Sequence, residues 1–182
     1  MMDGIALGKF LRAAQDDLLR VECLDYYEPD EADFQRYLAG EATPDMTRMG
    51  AWLERLRGEQ ARGLRRRRVH VVQSPVSKYV AFECEFAYAY NIQAGEEIRI
   101  LDLAERTGVP GSRMGTDFWM VDGHDVAVMH YTPEGAFTGA HLAPPAARDT
   151  YRTAARALWD AAEPFASWWN RHPEYHRGQK VA

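Results

Sequence analysis

The amino-acid sequence predicts a single α/β (α+β) domain: a mixed sheet of about five or six strands, helices on its faces, and an antiparallel meander towards the C-terminal end. Three observations predict it. Segments with period 2 and period 3.6 alternate along the first hundred residues, the pattern of strands joined by helical connections. Short apolar runs between residues 117 and 142 are separated by Asp-Gly and Thr-Pro-Glu-Gly, which are turn chemistries that return a chain antiparallel to itself. Hydrophobic residues make up 46% and charged residues 27% of 182 residues, enough apolar surface for one packed core and too much for a disordered chain.

Ile5, Leu7, Phe10, Leu11 and Ala14 fall near helical spacing. At Leu19, Val21 and Cys23 the period changes to 2, so a short helix feeds a strand. Glu28, Pro29 and Asp30 break that strand, after which Phe34, Tyr37 and Leu38 share one helical face that Gly40 ends. Beyond Pro44 a longer amphipathic helix carries Met46, Met49, Trp52, Leu53 and Leu56. The run from Arg65 to Arg68 opens a β-branched strand that stops at Ser74 and Pro75.

The next segment, 76–92, satisfies both periods. As a helix it stacks Tyr79, Phe82, Phe86 and Tyr90. As a strand it places Phe82, Cys84, Phe86, Tyr88 and Tyr90 on one side. Its length, and Ser74-Pro75 as an N-cap and first-turn pair, favour the helix. Gly95 closes it, Ile98, Ile100 and Leu101 form the next strand, and a glycine-rich loop leads into the three-stranded meander. From Pro145 a final helix buries Tyr151, Ala155, Leu158, Trp159 and Phe165, bending near Pro164. The domain is expected to span residues 1–172, with 173–182 a frayed tail. No repeat or linker marks a second domain.

The formal charge of −5 gives no global attraction for phosphate backbones, so nucleic acid is not the expected partner. Two cysteines, Cys23 and Cys84, outside any metal-ligand spacing, argue against a disulfide framework. No segment approaches the roughly 20 apolar residues that span a bilayer, and the first residues lack a leader pattern, so a cytoplasmic address without membrane attachment is expected. No phosphate-binding loop or hydrolase elbow is present, and no cofactor or metal is expected.

The stretch from Pro75 to Leu101, with Ala94, Gly95, Glu96, Ile98 and Arg99 at its core, and the stretch opened by Asp117, Phe118 and Trp119 resemble an actinobacterial family defined as a domain of unknown function, number 6879. The resemblance covers nearly the whole chain. It implies a genomic setting beside helix-turn-helix regulators, and hence a regulator or other protein as partner. A more distant likeness is to degenerate, sensor-like halves of the phospholipase D superfamily. The active members use a His-x-Lys motif, which none of the six histidines here completes.

Candidate site residues follow from cost. Arg99 lies in an apolar strand, where an unpaired guanidinium is expensive, so Glu83 or Asp117 is its expected counterpart. Trp119 and Tyr79 are expected to wall a pocket beside it, giving Arg99, Trp119, Tyr79, Glu83 and Asp117 as ligand-binding candidates. Trp168 and Trp169 cannot both face inward, so one of them is the candidate interface residue. The leading expectation is a non-enzymatic regulatory or interaction module that binds a partner protein or a small anionic ligand. The alternatives are a metal-dependent phosphodiesterase or nuclease using Glu83, Asp117 and Asp122, and a nucleic-acid binder using Arg65 to Arg68. The bland reading of that arginine run is a solvated strand mouth.

Overall fold

The computed structural model describes residues 1–28 and 31–177. Pro29 and Asp30, expected to break the chain after the first strand, and residues 178–182 of the expected tail lie outside the described residues.

Seven strands form one mixed sheet among the described residues: β1 (Asp17–Glu22), β2 (Arg65–Val72), β3 (Glu97–Asp102), β4 (Phe118–Val121), β5 (Asp125–Tyr131), β6 (Phe137–Leu142) and β7 (Glu163–Pro164), in the order β6-β5-β4-β1-β2-β3-β7. β1, β2 and β3 run parallel, and every other pairing is antiparallel. Six of the strands match expectation. The seventh arises where one bent C-terminal helix was expected. Instead α6 (Pro145–Ala161) ends before Glu163, two residues pair with β3, and α7 (Phe165–Arg171) begins after Pro164. Proline cannot continue a helix interior, so the chain uses it at the outer edge of the sheet.

Each face of the sheet has its own cover. α6 lies on the face formed by Leu19, Val21, Val69, Val71, Leu101, Phe118, Met120 and Val128, with Ala155, Leu158 and Trp159 buried against it. On the other face α1 (Gly4–Arg12) packs Leu7 against Leu18, Trp119 and Val121. α2 (Glu31–Leu38), α3 (Met46–Ala61), α4 (Lys78–Glu83), α5 (Ala89–Asn91) and α7 complete that layer.

Segment 76–92 is helical, with two corrections. Ser77, not Ser74, caps α4, its hydroxyl accepting from the N–H of Val80 at 3.1 Å. Between α4 and α5 the helix widens into one π-helical turn, Cys84–Tyr88. The expected tail is also partly docked. Residues 173–175 form a 3₁₀ turn, and Arg177 donates to Glu85 Oε2 at 2.6 Å, Tyr37 O at 3.0 Å and Glu41 O at 2.7 Å.

Two turns fasten the meander to the first strand and its exit loop. Asp122 and Gly123 both adopt positive φ, 49° and 71°, as the tight hairpin turn requires. The Asp122 carboxylate also accepts from the N–H groups of Gln15 (3.1 Å), Asp16 (2.9 Å) and Asp17 (3.0 Å), tying the meander to the entrance of β1. At the opposite end Gly135 (φ 87°) lies so close to Tyr26–Glu28 that a Cβ would sit 2.9 Å from Tyr26 O, and its carbonyl accepts from Glu28 N–H at 3.0 Å. At the outer edge Met2 N–H donates to Ala140 O at 2.6 Å and Ala140 N–H to Met2 O at 2.9 Å, capping the middle of β6.

Asp122→Ala removes the acceptor of three backbone donors and a residue tolerant of positive φ. A loss of about 1–3 kcal/mol is expected, while Asp122→Asn keeps the conformation and should cost less. Urea unfolding of the two variants checks the order.

Candidate functional site

Alternation along β1 puts Leu19 and Val21 on the α6 face and Arg20 and Glu22 on the other, and β2 does the same with Arg66, Arg68 and His70. Parallel register then sets Arg20 beside Arg68 and Glu22 beside His70, so charged side chains meet in the centre of the sheet beneath a layer of helices. They neutralise one another. Arg20 Nε lies 2.6 Å from Glu22 Oε1, Arg68 NH1 2.6 Å from Glu22 Oε2, and Arg68 Nε 3.1 Å from Glu96 Oε1. Glu96 accepts from Asn91 Nδ2 at 2.8 Å, and Asn91 Oδ1 accepts from Trp52 Nε1 at 3.0 Å.

The π-helical turn adds the remaining members. In an α-helix, residues five apart point in divergent directions, whereas the wider turn brings Tyr88 over Glu83, with the phenol oxygen 3.4 Å from Glu83 Oε2. The same oxygen lies 2.8 Å from His70 Nδ1 and 3.2 Å from Glu22 Oε2. His70 Nε2 faces the carbonyl of Leu24 at 3.1 Å, so it carries a proton and donates to that carbonyl. Burial, and the negative charge of Glu22, push Glu83 up to about 8 against the pull of Arg68 and Arg20. Burial works against ionised Glu22 too, but Arg20 and Arg68 hold it far below the usual carboxylate range.

Asp117, at the mouth of β4, carries the network to the surface. Its Oδ1 accepts from Cys23 N–H at 2.8 Å. Its Oδ2 accepts from Tyr27 OH at 2.6 Å and lies 3.4 Å from Tyr131 OH and 3.5 Å from Arg20 NH2. Burial raises its pKa while Arg20 opposes the rise, and burial pushes Tyr131 up to about 12. Outside it opens a cavity of about 810 Å³, set at the carboxyl ends of β1 and β5 and the amino end of β4. Asp25, Tyr26, Asp117, His130, Tyr131 and His141 are among its walls. In open α/β sheets ligands favour such positions, where the strand order turns back on itself. A β-bulge between His130 and Tyr131 adjusts the local twist, and His130 Nε2 lies 2.7 Å from His141 Nδ1 with the rings stacked.

The pocket expected around Arg99 does not form. The period of β3 sends Arg99 to the α6 face, where its guanidinium lies 4.5 Å from the Trp159 ring centre and donates to Trp159 O at 2.9 Å and Ala162 O at 3.3 Å. Its expected counterparts, Glu83 and Asp117, belong to the opposite face. So do Trp119, whose ring lies 5.1 Å from the Arg20 guanidinium, and Tyr79, which packs edge-on to Tyr26 and Phe34. Four of the five candidates thus border one network, and the arginine that serves it is Arg20.

Asp122 is spent on backbone N–H groups, so Glu83, Asp117 and Asp122 do not converge on a metal. Of the arginine run, Arg66 pairs with Glu59 and Arg68 with Glu22 and Glu96 in the interior, while Arg65 pairs with Glu97 and Arg67 with Asp17, so these four form no basic patch. Trp168 is buried, and Trp169 is half-buried with its ring centre 4.3 Å from that of His176, so neither stands out as a free interface anchor. Asp102, Glu105 and His172 bring ligand atoms within 4.8 Å of one another, but Glu105 is engaged by Arg171 at 2.8 Å and Asp102 by Ser74 and Ala104. A cation there would have to displace Arg171.

A family model described as a domain of unknown function, DUF6879, matches residues 6–170. The chain belongs to the DUF6879 family. No curated protein matches it significantly. The match spans every strand of the sheet, so the buried network and the cavity both lie within the DUF6879 domain.

Two measurements test the network. Arg20→Met leaves Glu22 and Asp117 under-neutralised in the interior and should cost about 3–5 kcal/mol in urea unfolding at neutral pH. Glu83 binds its proton more tightly folded than unfolded, so its contribution is fully favourable below the ordinary glutamate range and is lost as pH rises from there to about 8. Glu83→Gln should therefore flatten the decline in Tm across that window. A decline equally steep in the variant would assign it to other groups.

Proposed function

We propose that this DUF6879 chain is a non-enzymatic regulatory or interaction module that receives a small ligand in the cavity at the carboxyl end of β1. One observation carries the reading. Apart from Asp25 at the exposed rim, the acidic and imidazole side chains that back the cavity spend their hydrogen bonds within the protein, with Asp117 held by Cys23 N–H, Tyr27 and Tyr131 and the two imidazoles facing each other. A catalyst needs an acid or base free to exchange a proton with substrate, whereas a receptor needs rigid walls and a fixed field, which such a network supplies. The phosphodiesterase reading loses its support because its three carboxylates point to separate tasks.

The regulatory half of the proposal draws on the resemblance to actinobacterial relatives found beside helix-turn-helix regulators, and on the distant likeness to sensor-like phospholipase D halves that have lost their chemistry. In this view the partner is such a regulator, and ligand occupancy alters the loop Leu24–Tyr27, which joins cavity and network through Tyr27 and Leu24 O. A cytoplasmic address is part of the same proposal.

His141 is exposed on an edge strand and borders the cavity. His141→Trp should fill the opening without a large loss of stability. Thermal-shift screening of a metabolite library against both proteins should yield compounds that raise the Tm of the wild type by several degrees and leave the variant unmoved. A screen in which no compound discriminates between them would remove the receptor reading. A regulator whose DNA binding is identical with and without the chain would remove the regulatory half.

A further inference from the structure

The cavity has a chemical sign. Among the described residues that line it there is no lysine or arginine, whereas two are aspartates. The guanidinium of Arg20 lies behind Asp117 and Tyr131 and is already matched by Glu22 at 2.6 Å. Asp117 is satisfied from within the protein. Asp25 is not: it is exposed, and its carboxylate has no hydrogen bond or ion pair among the described residues. Around these carboxylates stand three phenol rings. Tyr26, 43% exposed at the rim, is held edge-on by Tyr79 at 5.1 Å. Tyr131 is fixed by Tyr27 at 5.4 Å and Tyr151 by Phe118 at 5.0 Å. Rings braced in this way line the cavity without further ordering cost, and phenol rings attract ammonium and guanidinium groups.

We propose that the cavity takes a small organic cation, an ammonium- or guanidinium-bearing metabolite, with its charge between Asp25 and the Tyr26 ring and its apolar part against Tyr131 and Tyr151. This rests on the reading of the cavity as a receptor site and names the ligand class. It also replaces the anionic ligand expected from Arg99, because that guanidinium is engaged by Trp159 O and Ala162 O and is not among the residues that line the cavity. A volume of about 810 Å³ is at the larger end of small-molecule sites, room for a cation with a chain or ring attached and for bridging water.

Isothermal titration calorimetry with choline, agmatine and spermidine as cation probes, glutarate and inorganic phosphate as anions, and sorbitol as a neutral probe tests it. At least one cation should bind with a Kd below a millimolar, weaken as salt rises, and lose fivefold or more in affinity in both Asp25→Asn and Tyr26→Ala. The Asp25 carboxylate is exposed and unpaired, so Asp25→Asn should melt with the wild type, and Tyr26→Ala, which loses the edge contact with Tyr79, should remain folded at the titration temperature. Binding of an anion or of sorbitol but of no cation, abolished by His141→Trp, would overturn the cation assignment and leave the receptor reading standing. Binding of none of the six would overturn the assignment. Cation binding indifferent to both Asp25→Asn and Tyr26→Ala would place the ligand elsewhere and overturn it equally.

Discussion

The pairing of Arg20 and Arg68 with Glu22 in the middle of the sheet is the constraint to which the rest of the structure answers. Two guanidiniums and a carboxylate cannot sit in an apolar layer unless their remaining hydrogen-bonding capacity is met. The helices on that face and the turn before β3 therefore supply polar groups at defined heights: Glu59 from α3 for Arg66, Glu96 just before β3 for Arg68, and Tyr88 from the π-helical turn beside Glu22 and His70. An ordinary α-helix through residues 84–88 would swing Tyr88 away from Glu83 and leave a buried imidazole without its phenol. The widened turn is thus a consequence of the charge arrangement on the strands.

The network also separates two regions with different duties. Deep within it, Glu22, Glu83, His70 and Tyr88 address one another and stiffen the junction of β1 with β2. At its outer end, Asp117, Tyr27 and Tyr131 pass this rigidity to the walls of the cavity. The Leu24–Tyr27 loop belongs to both regions, since Leu24 O accepts from His70 while Tyr27 OH reaches Asp117. A change in that loop is felt at both ends, as coupling between a pocket and a core requires.

Much of the architecture was legible in the sequence because it is written in short-range signals. Alternation at Leu19, Val21 and Cys23, the Asp122-Gly123 turn and the glycine at 135 depend on neighbours a few residues away, and the structure follows them. The site was less legible because its grouping depends on which face each strand residue takes after pairing. Arg99 looked costly in an apolar strand, yet one step of alternation carried it to Trp159. The same rule applied to Asp17–Glu22 would have found Arg20 and Glu22 together on one face, and applied to Arg65–Val72 would have added Arg68 and His70. Glu83 and Tyr88 left no such trace, because helical periodicity assumes 3.6 residues per turn and they meet only where that period fails.

The two-residue clip of Met2 on Ala140 has a consequence for the solution behaviour of the molecule. β6 is the last strand on its side, and without the clip its central peptide groups would be open to pairing with another chain. Gly139 suits the close approach, since its φ of 144° is strained for a side chain and a Cβ there would lie 3.2 Å from Met2 O. Met2 thus occupies the peptide groups of β6 that a second strand would otherwise meet.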